Sequence, residues 1–312
     1  MEVMELDDPV PNDNEVRIRI RATTVTAGDC EVRSLTFRFP LSVIMRLYVG
    51  FFRPKRIRVL GQELAGEIDA VGSAVTSYRV GDEVFAQTDF KMGAYAEYRC
   101  FPANPGEDQG MIAHKPDLLS FQEAAAVPLG GLEALKYLRE ASIQPGEDVL
   151  IIGAAGSIGT LAMQLARHYG AEVTGVDSGD KLQTMRDCGA AHVIDHTAED
   201  VTSRAGSYNV VFDVVGKTPI RSLLGLLRQR GRLILANPKM SQAMKGSRTT
   251  GDGKRLIVGT KNRPDDLVAL KELVDAGVLR PVIDTTFPLE QVSEAHRYVE
   301  AGRKKGSLVI TV

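Results

Sequence analysis

The chain has 312 residues, 38 Lys+Arg against 40 Asp+Glu, 44% hydrophobic residues, 30 Gly, three Cys and no Trp. Ordinary apolar and charged fractions exclude a disordered or collagen-like chain, and the length predicts two domains or one large α/β domain. A formal net charge of −2 argues against global attraction to nucleic acid, so no nucleic-acid partner is expected.

Cys30, Cys100 and Cys188 are odd in number and widely spaced, which fits no disulfide framework and suits a reducing compartment. The acidic start Met1–Asp8 lacks the basic-then-apolar order of a signal peptide. The longest apolar run, Leu41–Phe52, is broken by Arg46 and too short to cross a bilayer. A soluble, cytoplasmic protein is expected.

In chain order, Val16, Ile18 and Ile20 alternate with Arg17, Arg19 and Arg21, the period of a strand with one buried face. Gly61–Gly72, Gly81–Phe85 and Ala94–Tyr98 are apolar runs bounded by Gly and Asp that predict further short strands and tight turns. Ser120 followed by Glu123 has the form of a capping box, so a helix is predicted to start at Phe121. From there strand and helix patterns alternate. Asp148–Ile152 is a continuous apolar run of the kind buried on both faces of a parallel sheet, and the helix pattern Ile158–Tyr169 follows it, ending at Gly170. Ala171–Val176, His192–Ile194, Asn209–Val215, Arg232–Ala236 and Arg255–Gly259 supply five more strands, with a helix over Lys181–Cys188. Repeated βα units imply an α/β fold with a doubly wound parallel sheet.

Between the first strand of that series and its helix lies Gly153, Ala154, Ala155, Gly156, Ser157, Ile158, Gly159. Against G-x-G-x-x-G, Ala154 replaces the first Gly, while Gly156 and Gly159 hold the other two places. Small residues there let the chain turn, let backbone approach a pyrophosphate and let helix pack on strand. Asp177 ends the next strand, at the separation where a carboxylate meets the ribose hydroxyls of NAD. It would face the 2′-phosphate of NADP like charge to like charge, so NADH is favoured. Lys181, one turn further on, either reaches a phosphate or is a solvated helix residue.

Taken with Gly61–Gly66, Val71–Val75, Gly81–Val84, Gly189–Asp195 and Gly306–Ile310 in this order and spacing, the chain resembles the medium-chain dehydrogenase/reductase superfamily. Within it, the chain looks most like the zinc-independent quinone oxidoreductase (zeta-crystallin-like) branch. The resemblance implies a GroES-like β-rich catalytic domain over 1–119, a Rossmann dinucleotide-binding domain over 120–262, and a return segment over 263–312 completing the catalytic domain. It also implies NAD(P)H as cofactor, a homodimer, and a strand ahead of the segment matching Glu2–Asp8. By position it places Val215 and Gly216 near the nicotinamide ribose and Ala236 and Asn237 near the carboxamide.

Zinc-dependent relatives hold the metal on Cys, His and Cys; the corresponding places here are Thr26, Gln62 and a residue near Gly130, which lack thiolate and imidazole. No zinc is expected, and without a Lewis acid alcohol oxidation loses its usual route. Hydride transfer to a quinone or α,β-unsaturated carbonyl asks mainly for alignment, with Thr26, Gln62 and Tyr48 as candidates to steady the developing oxyanion. Glu63 is expected to orient or support. Glu133 stands where relatives often carry Thr. An enoyl-thioester reductase, an NAD(P)-dependent alcohol dehydrogenase-like enzyme, and a non-catalytic cofactor sensor or RNA- or membrane-binding protein remain as alternatives. Between Glu31 and Glu63 the chain has no acid, while Arg33, Arg38, Arg46, Arg53, Lys55, Arg56 and Arg58 are interleaved with aromatics. This insert, 33–58, is a lid over the cleft, a substrate-side channel, or a peripheral membrane or nucleic-acid contact.

Overall fold

In the computed structural model, residues 1–36, 57–106 and 108–312 are described, together with Val43 and Leu47. Tyr48 and most of the insert 33–58 lie outside the described residues. The chain divides into two compact units, one comprising Met1–Leu129, Leu267–Ala276 and Pro281–Val312, the other Gly130–Asp266 and Gly277–Arg280.

The first unit is built on a seven-stranded sheet. Its axis is β1 (Glu15–Val25), where the alternation is realised: Val16, Ile18 and Ile20 are buried and their Arg neighbours are not. β1 pairs antiparallel along one edge with β2 (Glu63–Val71), which continues to β3 (Glu83–Gln87) and β5 (Met111–His114). Its other edge is shared. Glu15–Arg19 pair with β4 (Tyr98–Pro102), while Ala22–Val25 pair with β14 (Ser307–Thr311), itself parallel to β13 (Ile283–Pro288). The chain's end therefore returns to the sheet that its beginning opens. Ala22–Val25 are all buried, and the helix Phe121–Ala125 packs on β1, β2 and β14.

That helix starts where the capping box predicts: Ser120 Oγ accepts from Glu123 N at 3.3 Å and Ser120 N donates to Glu123 Oε2 at 2.9 Å. The strand expected over Ala94–Tyr98 begins only at Tyr98. Ala94 and Tyr95 instead donate to Gly61 O and Leu60 O as loop bonds, and Ala94 is fully buried in the core of this unit. Its small apolar side chain serves burial rather than strand pairing.

The second unit holds the βα series as a seven-stranded sheet. In order run β8 (His192–Asp195), β7 (Glu172–Asp177), β6 (Asp148–Ile152), β9 (Tyr208–Asp213), β10 (Leu227–Leu235) and β12 (Arg255–Ile257), all parallel. Counted from β6 this is the 3-2-1-4-5-6 order of a doubly wound sheet, with its reversal between β6 and β9. The two-residue β11 (Arg248–Thr249) adds an antiparallel edge, so the sheet is mixed rather than purely parallel. Val149, Leu150 and Ile151 are wholly buried, as expected of a strand covered on both faces.

Candidate functional site

The loop after β6 turns because Gly153 takes φ +83, a conformation that side chains disfavour. Its N–H donates to Val176 O at 2.9 Å and that of Ala154 to the same oxygen at 3.1 Å, which ties the turn to β7. Gly156 is the N-cap of the helix Ser157–His168, and no side chain caps that helix end. Uncapped N–H groups and the positive end of the helix dipole make such an end a natural seat for a pyrophosphate. The two later glycines divide the labour. A Cβ on Gly159 would lie 2.3 Å from Gly153 O and 2.5 Å from the Ala154 Cα, so only Gly lets the helix pack against the turn. A Cβ on Gly156 would meet nothing nearer than Gly153 O at 3.6 Å, so that face is open for a ligand to approach. Ala154 and Ala155 are fully buried, whereas Ser157 and Ile158 begin the helix.

Asp177 closes β7 beside this loop. Its Oδ2 accepts from Ala155 N at 3.1 Å and its Oδ1 from Ser178 N at 2.9 Å. Lys181 is not a solvated helix residue: it is buried, and its Nζ lies 3.2 Å from Asp177 Oδ1. The reading of Lys181 as a solvated helix residue is thereby removed, since its ammonium is turned onto the Asp177 carboxylate. Around the crevice, a Cβ on Gly153 would meet Val215 Cγ2 at 2.7 Å and one on Gly216 would meet Asn237 O at 2.4 Å. Val215 N and Gly216 N both donate to Asp213 Oδ1, and Ala236 N donates to Asp213 O. The ends of β6, β9 and β10 thus bring Gly153, Val215, Gly216, Ala236 and Asn237 together. These residues fit a dinucleotide laid across the C-terminal ends of the strands.

In the first unit, Thr26 and Gln62 are neighbours: Gln62 Nε2 donates to Thr26 Oγ1 at 2.8 Å. What joins them was not legible in the sequence. Asp29, wholly buried, accepts from Thr26 N at 2.9 Å and Thr26 Oγ1 at 2.6 Å through Oδ2, and from Gly61 N at 3.1 Å through Oδ1. Thr26 also accepts from Asp29 N, completing a capping box for the helix Ala27–Ser34. The pattern Thr-x-x-Asp was the available signal. The single Thr26 hydroxyl proton is committed to Asp29, and both of its lone pairs are occupied. Burial raises the Asp29 carboxyl above the usual range, opposed by hydrogen bonds from Thr26, Gly61 and Gln62.

Glu63 is the second enclosed carboxyl. Its Oε1 accepts from Thr24 Oγ1, and its Oε2 accepts at 2.7 Å from the N–H of Leu129 near the start of the helix Pro128–Ala141. Burial pushes it up to about 7 against those hydrogen bonds, with Asp29 adding a like charge. Its contacts are those of a support for the segment entering that helix. Glu133 is paired with Lys136 at 2.6 Å.

The same unit holds a chain of buried and partly buried polar side chains. His296 Nδ1 is 3.4 Å from Cys30 Sγ, His296 Nε2 is 3.2 Å from the Tyr95 hydroxyl, and that hydroxyl donates to Thr24 O at 3.3 Å. Burial drives the His296 imidazole down to about 4 and the Cys30 thiol up to about 12, so both are neutral near pH 7. A thiol so raised is a poor nucleophile and ligand. Among the described residues no three His, Cys, Asp or Glu side chains are grouped to hold a metal ion, and no helix is long and apolar enough to cross a membrane.

Comparison with known proteins gives two family matches: the alcohol dehydrogenase GroES-like domain over residues 12–128 and the zinc-binding dehydrogenase family over residues 188–310. The NADPH-dependent alkenal/one oxidoreductase, chloroplastic, of Arabidopsis thaliana is 31% identical over 81% of this chain and 63% of its own length, so this chain spans less than two thirds of that relative. The quinone oxidoreductase of Sus scrofa is 31% identical over 95% of this chain and 89% of its own. Among solved structures, the quinone oxidoreductase from Coxiella burnetii superposes with a TM-score of 0.82 at 27% identity, covering 98% of this chain and 93% of that one.

Proposed function

Since the chain belongs to the medium-chain dehydrogenase/reductase superfamily, in its quinone oxidoreductase branch, we propose that it is a zinc-independent NAD(P)H-dependent oxidoreductase that reduces quinones or α,β-unsaturated carbonyls. In this reading the second unit binds the cofactor, the first unit lines the acceptor, and the protein works in the cytoplasm as a homodimer. The carrying observation is the division of labour in the loop, with Gly159 closed against Gly153 and Gly156 open, which supports an approach of a pyrophosphate to that face.

When bound, the nicotinamide supplies a hydride, two electrons and one proton, to an electron-poor carbon or quinone oxygen, and a proton from water completes the reduction. Thr26 and Gln62 stand where zinc-dependent relatives place metal ligands, with the Thr26 hydroxyl donating to Asp29 and the Gln62 amide donating to Thr26. Their part is to shape and position the acceptor, which suits chemistry that needs alignment more than a Lewis acid. Tyr48 is retained as a further acceptor-side candidate.

The test is a screen of the metal-quantified protein with NADH and NADPH against quinones, enones, enoyl-thioesters and alcohols. Quinone or enone turnover at substoichiometric zinc is the expected result. Cofactor binding without turnover of any acceptor favours a sensor, and alcohol oxidation with stoichiometric zinc favours an alcohol dehydrogenase-like enzyme. Asp177 further implies a preference for NADH. Asp177→Ser removes the charge facing a 2′-phosphate and leaves the Lys181 ammonium beside it. The NADPH-to-NADH ratio of kcat/KM is expected to rise by about tenfold to thirtyfold, the equivalent of roughly 1.4–2 kcal/mol; an unchanged ratio removes this role of Asp177.

A further inference from the structure

The second unit has a concavity that the dinucleotide reading does not use. It encloses about 310 Å³ between the last turns of the helix Pro128–Ala141 and the segment 260–263 that follows β12. Helix and loop both contribute cations: Lys136 and Arg139 from the helix, Lys261 and Arg263 from the loop, and Arg255 from β12. Glu140 is the one acid among its lining residues, beside the hydroxyl-bearing Ser142 and Thr260.

The acids nearest these cations are already engaged. Glu140 is paired with Arg255, and Glu133 with Lys136. Asp266, buried, gives one oxygen to Arg139 and the other, at 2.7 Å, to the backbone N–H of Arg263. Asp266 is bonded by the backbone of Arg263 rather than by its guanidinium, and the Arg263 side chain is exposed at the rim. The five cationic side chains of this wall outnumber Glu133, Glu140 and Asp266, and positive charge gathered in a concave, polar wall lowers the energy of an anion there more than isolated surface cations do. Forked guanidinium groups match phosphate oxygens two at a time. The cavity is at the small end of ligand sites and has little apolar lining, which is wrong for a quinone and right for a compact, highly charged group.

We infer that this concavity binds a phosphate-bearing small ligand, a phosphate or diphosphate group held by Arg139, Arg255 and Arg263 with Lys136, Lys261 and the two hydroxyls around it. It is formed from residues other than the loop 153–159, and it is independent of whether the protein turns over quinones.

Isothermal titration of the full-length protein with inorganic phosphate and with pyrophosphate, at ionic strength matched with NaCl and with and without saturating NADH, tests it. Saturable binding that survives NADH and weakens at least tenfold in Arg263→Glu is expected, while the affinity for NADH stays within about twofold. A stronger response to pyrophosphate than to phosphate assigns a diphosphate ligand, and the reverse a monoester. Arg263 is exposed and its cap bond is made by its backbone, so Arg263→Glu should fold; Arg263→Gln serves as a second variant without reversed charge. Absence of saturable binding, binding by both variants as tight as that of the unsubstituted protein, or complete displacement by NADH overturns the proposal.

Discussion

Asp177 in the second unit and the pair Asp29 and Glu63 in the first are held in opposite ways. Asp177 in the second unit is served by Ala155 N, by the next residue in the chain and by Lys181 one turn on, and it stays partly exposed at the end of a strand. Asp29 and Glu63 in the first unit are enclosed, and Glu63 takes its hydrogen bonds from residues 39 and 66 positions away. Asp177 therefore keeps an edge toward water, whereas Asp29 and Glu63 are closed over by the fold, and burial raises their proton affinity.

The sharpest way to break the contrast is at Gly159. Valine there drives a side chain into loop backbone that cannot move aside, at a cost of about 3 kcal/mol. Loss of detectable NADH binding by fluorescence titration is expected. Ala at Gly156, where a Cβ finds open space, should leave the melting temperature unchanged and affect binding alone. Equal stability losses at the two positions would show that the open face is not real.

In the first unit, Asp29→Ala leaves the N–H of Thr26, the hydroxyl of Thr26 and the N–H of Gly61 without their acceptor inside the protein. A destabilisation of about 3 kcal/mol is expected from urea unfolding. A loss below about 1 kcal/mol means that the carboxylate does not tie β1 to the start of β2.

A smaller effect sharpens the assignment of Glu63. Its folded value of about 7 lies above the ordinary 4.5, so the native state holds the proton more tightly than the unfolded chain. That contribution to stability is full below about pH 4.5 and is lost as pH rises through 7. His296, lowered from 6.5 to about 4, slopes the other way between those values. Subtracting wild type from Glu63→Gln cancels the histidine. The difference should climb by about 2 kcal/mol from pH 4.5 to 7, which chemical denaturation at several pH values measures. A flat difference means that the buried carboxyl is ionised throughout.

Much of the architecture was legible before any coordinates. The alternation of Val16, Ile18 and Ile20, the apolar run Val149–Ile152 and the Ser120–Glu123 box each describe a residue's relation to near neighbours, and each forms as read. The loop 153–159 was legible for the same reason, because a tight turn and a close helix approach demand glycine whatever surrounds them. Of the strand expected over Ala94–Tyr98 only Tyr98 lies in a strand, because small apolar residues serve a buried loop as well as a strand. Lys181 was left undecided because a lysine on a helix has no local mark of burial, and the ion pair with Asp177 supplies it.

By itself, then, the sequence determined most of the strands, the helix start at Phe121 and the glycine-lined turn 153–159, since periodicity, capping and glycine geometry act over a few residues, and the order and spacing of its motifs carried the resemblance to the family. Only the tertiary structure decided that Asp29 and Glu63 are enclosed, that Thr26 turns its proton inward, that Cys30 meets His296, and that a helix and a distant loop pool their cations. Desolvation and hydrogen-bond partnership are properties of what closes over a residue, and here that comes from segments far along the chain.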